Sequence, residues 1–147
     1  MLRTQTARAG AAPATKDVPN WSRVAALAAG DLIIFLVFTI QGLSTHGETI
    51  TAAAVIATAA PFIISWFVIA PFVGAFGRRG SAPSTRPAPL VQQAAISWLV
   101  AWAVALLLRY AVFHGGITPA FAIVALLFNG VLLLGWRAAI SYALWRS

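Results

Sequence analysis

Four long apolar stretches constrain this sequence more than any other feature. They cover residues 23–43, 50–73, 91–113 and 119–140, and they are apolar on every side rather than along one stripe. At a rise of about 1.5 Å per residue, each stretch forms a helix of roughly 31 to 36 Å, which crosses a hydrocarbon core about 30 Å thick. A water-soluble bundle would carry polar faces on its outer helices. The sequence therefore predicts an all-α integral membrane protein, a four-helix bundle.

The composition supports the same conclusion. Hydrophobic residues make up 61% of the chain and charged residues 9%, whereas soluble domains are about 45 to 50% apolar and about 25% charged. These values exclude a soluble domain and a wholly disordered chain. The absence of cysteine excludes a disulfide scaffold. A net charge of +7 suggests nucleic-acid binding in a soluble protein, but basic residues of membrane proteins collect in cytoplasmic loops. We therefore expect the lipid bilayer, and no nucleic acid, as the partner.

The remaining segments divide the chain into a tail and a membrane domain. Residues 1–20 are rich in Ala, Thr, Pro and Gly and predict a disordered basic cytosolic tail, followed by the transmembrane domain 21–147. A proline-containing linker, 74–90, joins the second and third helices. Thr45 and Glu48 have the spacing of a capping box for the second helix. Glycines 115 and 116 predict the end of the third helix, and Thr118 with Pro119 predicts the start of the fourth.

The basic residues predict the orientation of the bundle. Nine of the ten lie on the side of the two termini and the linker: Arg3, Arg8, Lys16, Arg23, Arg78, Arg79, Arg86, Arg137 and Arg146. Arg109 is the exception. By the positive-inside rule, we expect both termini and the linker to be cytoplasmic and the two short turns to be external. The chain is thus predicted to be a multi-pass protein of the cell's inner (plasma) membrane.

Three segments resemble a known family. They are DLIIFLVFTIQGLSTHG at 31–47, PFIISWFV at 61–68 and LRYAVFHGGITPAFAIVALLFNGVLLLGWR at 108–137. The chain is similar to the prokaryotic membrane family called domain of unknown function 3054, whose features are an early Asp, a Ser/Thr-His, a Leu-Arg and a Gly-Trp-Arg. The resemblance covers all four helices. It implies a bacterial or archaeal four-helix membrane protein and brings no activity, ligand or functional residue.

Asp31 is the residue with the clearest chemical meaning, because a carboxylate near the bilayer centre costs about 2.5 to 3.5 kcal/mol on insertion scales. We expect it to face the bundle interior beside Asn129, which lies at a similar depth, and to be protonated because nothing basic shares that depth. It is then either a proton or cation site or a structural carboxyl. The Asn129 amide is expected to act as a packing clasp, and Asp31→Asn to leave folding nearly intact.

A second group of polar residues lies near the external surface. Arg109 is predicted to extend toward the headgroups or to join a cluster with the other polar residues of the turns. The cluster comprises Gln41, His46, Glu48, Arg109 and His114. The two histidines lie in separate turns without metal-ligand spacing, so no metal site is expected. No haem, nucleotide or hydrolase motif is found, so we expect no cofactor and no enzymatic activity.

Two classes of function follow from these features. The first is a structural or accessory membrane protein of unknown molecular function. The alternative is a small proton- or ion-coupled transporter that uses Asp31. Since four helices leave little room for an enclosed pathway, a transporter of this size would act as an oligomer. The expected partners are therefore further copies of the chain or a larger membrane complex.

Overall fold

The computed structural model describes residues 21–77 and 86–146, which form four helices. These are α1 (Trp21–Thr45), α2 (Ala52–Val73), α3 (Pro87–Ala111) and α4 (Pro119–Arg146). Each helix is long and apolar enough to cross a membrane. This confirms the prediction of an all-α membrane four-helix bundle. The predicted tail 1–20 and the linker arginines 78 and 79 lie outside the described residues, as do the side chains of residues 144–146.

The caps of α2 differ from those predicted. Thr45 belongs to the last turn of α1, where its hydroxyl donates to the Gln41 carbonyl at 2.7 Å. The N-cap of α2 is instead Thr51, whose hydroxyl accepts the amide of Ala54 at 3.1 Å. At the other end, Gly74 adopts a left-handed φ of 98° and ends α2. The predicted Thr45–Glu48 capping box is therefore wrong, because α1 continues through its first member.

The start of α4 agrees with the sequence. Pro119 is its first residue, and the Thr118 hydroxyl accepts the amide of Phe121 at 3.2 Å. The left-handed position before this turn is taken by His114 (φ 49°) rather than by a glycine. Two helix ends extend beyond the apolar stretches: α3 begins four residues before residue 91, and α4 continues six residues past residue 140. The second extension changes the depth assigned to Arg137.

The helices form a ring in which α1 packs on α2 and α4, and α3 packs on the same two neighbours. The short connections 46–51 and 112–118 lie at one end of the bundle, here named the turn end. The start of α1, the end of α2, the start of α3 and the end of α4 lie at the other, named the terminal end. This is the up-down-up-down arrangement of antiparallel four-helix bundles.

An aromatic cluster fills the centre of the bundle. Its members are Phe35, Phe38, Phe62, Trp66 and Trp98, with ring centroids 5.8 to 6.5 Å apart in the contacting pairs. Large apolar side chains such as Ile33, Phe72, Leu107 and Val131 are exposed on the outside. Several polar side chains, in contrast, are fully buried. Apolar residues outside and polar residues inside are what a lipid environment favours.

Candidate functional site

Asp31 and Arg137 form an ion pair inside the bundle. Both side chains have no exposed surface. Arg137 Nε donates to Asp31 Oδ1 at 3.1 Å, and its Nη2 donates to Oδ2. Two parallel hydrogen bonds between a guanidinium and a carboxylate give the geometry and strength of a bidentate pair. The pair joins the first helix to the last.

Helix α2 and the segment after it complete the coordination of the pair. Trp66 Nε1 donates to Asp31 Oδ2 at 3.0 Å, and Arg137 Nη1 donates to the carbonyl oxygen of Ala75. The left-handed Gly74 redirects the chain after α2, which places that carbonyl beside the guanidinium. Both carboxylate oxygens therefore accept hydrogen bonds, and all three guanidinium nitrogens donate. A buried ion pair is tolerated when its remaining polar atoms are satisfied in this way.

Two aromatic rings pack against the guanidinium. Its central carbon lies 4.7 Å from the Phe76 ring centroid and 5.5 Å from that of Trp66. A cation held against the face of an aromatic ring away from water gains about 2 kcal/mol. The same rings close the pair off from solvent, so the site is a closed charged cluster defined by Asp31, Trp66, Ala75, Phe76 and Arg137. We refer to it as the ion-pair cluster.

The predicted location of Asp31 is right, but its predicted partner is wrong. Asp31 faces the interior, but Asn129 does not bind it: the Asn129 amide nitrogen donates to the Ala125 carbonyl of its own helix at 3.1 Å. Asn129 is fully buried, and its Oδ1 has no partner among the described residues. The premise that nothing basic lies at the depth of Asp31 is also wrong, because Arg137 lies there.

Helix length explains the error. Asp31 lies ten residues after the start of α1, and Arg137 lies nine residues before the end of α4. Both are therefore about 14 to 15 Å from the terminal end. Counting Arg137 among the cytoplasmic residues placed it at the edge of a shorter helix. Two features of the sequence indicated an interior arginine. One is the run of mostly apolar residues that follows Arg137, and the other is the unpaired acid in the first helix.

The predicted external cluster is only partly assembled. His46, Glu48 and Arg109 line a common cavity of about 400 Å³ at the turn end. Gln41 is exposed and its amide donates to the Thr45 hydroxyl at 3.4 Å, while His114 lines a separate surface pocket with Tyr110 and Ile117. Three of the five residues of the predicted cluster therefore line one cavity, and Gln41 and His114 lie apart from it. The sequence gives the depth of each residue in the membrane but not the direction of the turns, so it did not distinguish these two residues from the others.

Arg109 is held at the rim of this cavity. Its Nε donates to the Gly116 carbonyl at 3.1 Å, and its central carbon lies 4.5 Å from the centroid of the Phe121 ring. Nearer the start of α3, the indoles of Trp98 and Trp102 donate to the carbonyls of Leu126 and Ala122, both at 3.0 Å. These bonds tie α3 to α4. Arg109 is therefore positioned by its neighbours rather than extended freely toward the surface.

In the part of the chain that the structure describes, residues that could hold a metal are not grouped. Within residues 21–77 and 86–146, no three side chains among His, Asp and Glu lie close enough together to bind a metal ion. Four buried polar atoms in the same part of the chain have no hydrogen-bond partner: Thr39 Oγ1, Ser65 Oγ, Asn129 Oδ1 and Trp136 Nε1. Of these four residues, Thr39 lines the turn-end cavity.

Comparison with known proteins gives one match. A search of curated proteins and a search of solved structures each found no match. A family model described as "Protein of unknown function (DUF3054)" matches residues 28–140, a range that includes the ion-pair cluster and most of all four helices. The chain therefore belongs to this family, whose function is unknown.

Proposed function

We propose that this chain is a non-enzymatic structural or accessory protein of the inner (plasma) membrane, and that the ion-pair cluster fixes the packing of its bundle. The observation that carries the proposal is the complete satisfaction of the Asp31–Arg137 pair. A carboxylate that binds and releases protons during transport needs a path to water and a state without its partner. Asp31 instead binds the Arg137 guanidinium and the Trp66 indole, and the Phe76 ring packs against that guanidinium.

The turn-end cavity gives further support. Its lining includes neither Asp31 nor Arg137. Phe38, the α1 residue of the lining nearest to Asp31 in sequence, lies seven residues from it, or about 10 Å along the helix. The aromatic cluster fills the bundle from Phe38, which lines the cavity, to Trp66, which binds Asp31. A transporter built on Asp31 would need this barrier to open, so a fixed bundle that supports other membrane components fits the geometry better. Those partners are further copies of this chain or other membrane proteins.

The test separates a structural carboxylate from a transporting one. Wild-type chain is reconstituted into liposomes that contain a pH-sensitive dye, and a proton gradient is imposed. The proposal expects the same dye signal as in protein-free liposomes. In detergent, Asp31→Asn should lower the free energy of unfolding, because Arg137 then lacks its counter-charge. Glu48→Gln, which changes an exposed carboxylate at the turn end, is the matched control and should have little effect.

One result would reverse the assignment. A proton flux above that of protein-free liposomes, abolished by Asp31→Asn and retained by Glu48→Gln, would favour the alternative of a proton-coupled transporter that uses Asp31. Measuring the same variants by unfolding separates loss of transport from loss of fold. A variant that is folded and inactive would identify the carboxylate as the coupling group.

A further inference from the structure

The turn-end cavity combines a charged rim with an apolar wall. Glu48 and Arg109 contribute the charges, and Phe38, Leu43 and Phe121 contribute apolar surface. Its volume of about 400 Å³ falls within the roughly 300 to 1,000 Å³ that is usual for small-molecule sites. A concave apolar pocket with a few converging polar groups is the common form of a ligand site.

The two charges at the rim are close but do not bind each other. Glu48 is near enough to attract the Arg109 guanidinium, yet the two are not joined by an ion pair within 4 Å, unlike Asp31 and Arg137. Within the described part of the chain, Arg109 makes one hydrogen bond, through Nε. Its two terminal nitrogens are therefore available as donors. Besides His46, the lining thus offers one carboxylate, that of Glu48, and one guanidinium, that of Arg109, to a ligand.

A buried hydroxyl in the same cavity also lacks a partner. Thr39 is 1% exposed, lines the cavity, and has no hydrogen-bond partner for Oγ1 among the described residues. A buried polar group left unpaired costs about 1 to 3 kcal/mol. A polar atom of a ligand in the cavity would satisfy it. The orphaned hydroxyl is thus an independent indication that the cavity holds a polar group.

An apolar groove continues from the cavity along the outside of α4. Its lining is apolar throughout and consists of Val124, Leu127, Phe128, Val131 and Leu132. Val124 lines both the cavity and the groove. From Val124 to Val131 the groove runs about 10 Å along the helix, away from the turn end and toward the membrane centre. A cavity with a charged rim, joined to an apolar groove, is complementary to a molecule with a polar headgroup and an apolar chain.

We propose that the turn-end cavity and the α4 groove together bind a phospholipid with a zwitterionic amine–phosphate headgroup. The phosphate binds Arg109, the ammonium group binds Glu48, and one acyl chain lies along Val124 to Leu132. An anionic headgroup fits less well because it would meet the Glu48 carboxylate without a compensating cation. A free solute would use the cavity but not the groove. The site does not involve the ion-pair cluster, so it is independent of the proposed structural function.

Native mass spectrometry in mild detergent tests the proposal. The full chain is mixed with phosphatidylethanolamine or phosphatidylglycerol carrying identical acyl chains, and retained lipid is measured against lipid concentration. We expect one phosphatidylethanolamine to be retained at a concentration about tenfold lower than phosphatidylglycerol requires, as one charge-assisted contact predicts. Glu48→Gln should shift the preference toward phosphatidylglycerol, since the lining then carries a net positive charge. Arg109→Gln should weaken both, whereas Arg86→Gln at the terminal end should weaken neither.

A second pair of variants tests the groove. Val124→Trp blocks the junction between the cavity and the groove and should abolish retention. Ile123→Trp changes the adjacent exposed residue, which lies outside the groove, and should preserve retention. Thermal unfolding in lipid-free detergent shows that each variant is folded. Glu48 is exposed, so its substitution keeps the headgroup test valid if a tryptophan variant does not fold.

Two results would overturn the proposal. One is equal retention of both lipids by the wild-type chain and by Glu48→Gln, which would mean that the rim charges do not select a headgroup. The other is binding of free phosphoethanolamine as tightly as of the lipid, unchanged in Val124→Trp. That result would identify a site for a small water-soluble zwitterion instead.

Discussion

In the half of the bundle toward the terminal end, Asp31 and Arg137 bind each other in the interior, whereas at the turn end Glu48 and Arg109 line one cavity without pairing. The first pair has every polar atom satisfied and two aromatic rings against it. The second has unused donors and an unpaired hydroxyl nearby. The difference indicates that charge at the terminal end stabilises the fold, while charge at the turn end is available to a ligand.

The largest effect should come from breaking the ion pair. Asp31→Leu leaves Arg137 buried without a counter-charge and should lower the free energy of unfolding by about 3 to 5 kcal/mol. Asp31→Leu combined with Arg137→Met removes both charges and should recover most of that loss. Tryptophan fluorescence during denaturation in mixed micelles measures each value. Equal losses for the single and double variants would show that the charges do not interact energetically.

The second prediction compares one substitution at the two ends of α1. A methyl group on Gly30 would collide with the Trp136 indole, so Gly30→Ala should destabilise the fold by about 1 to 3 kcal/mol. Gly42 has open space around it, so Gly42→Ala should stabilise the helix by up to about 1 kcal/mol. The same unfolding assay distinguishes them. Equal changes in the free energy of unfolding of the two variants would show that Gly30 of α1 does not pack tightly against Trp136 of α4.

The third prediction concerns two fully buried hydroxyls, one at each end. Thr39→Val removes a hydroxyl that lacks a partner and should raise the free energy of unfolding by about 1 kcal/mol in lipid-free detergent. Ser141→Ala removes a hydroxyl that donates to the Ala138 carbonyl at 2.9 Å and should lower it by a similar amount. A loss of stability in Thr39→Val would show that this hydroxyl is already hydrogen-bonded in the protein.

The last prediction concerns the orientation of the bundle in the membrane. If the terminal end is cytoplasmic, an impermeant thiol reagent applied to intact cells should label Thr118→Cys and spare Arg86→Cys. The chain has no cysteine of its own, so each label reports one position. The opposite pattern would place the turn-end cavity in the cytoplasmic leaflet. The remaining predictions would stand in either orientation.

Much of the fold was predictable because lipid imposes a simple rule on the sequence. Four apolar stretches of membrane-spanning length, with Thr118 and Pro119 at one helix start, were sufficient for the bundle. The ion pair was only half predictable. Asp31 had to face the interior, but its partner depended on where α4 ends, and a basic residue near the end of an apolar stretch fits both an edge and an interior position. The turn-end cavity was not predictable, because it depends on the directions of the two short connections, and the depth of a residue in the membrane does not give those directions.

The span of chain between Asp31 and Arg137 has a consequence for biosynthesis. The two residues are 106 positions apart, so at about 5 to 20 residues per second the arginine is synthesised roughly 5 to 20 seconds after the aspartate. During that interval α1 has an acid and no counter-ion. The ion pair that joins α1 to α4 therefore cannot form until α4 has been synthesised. Closure of the bundle then requires the synthesis of α4, and a chain that stops before α4 is left with an unpaired carboxylate.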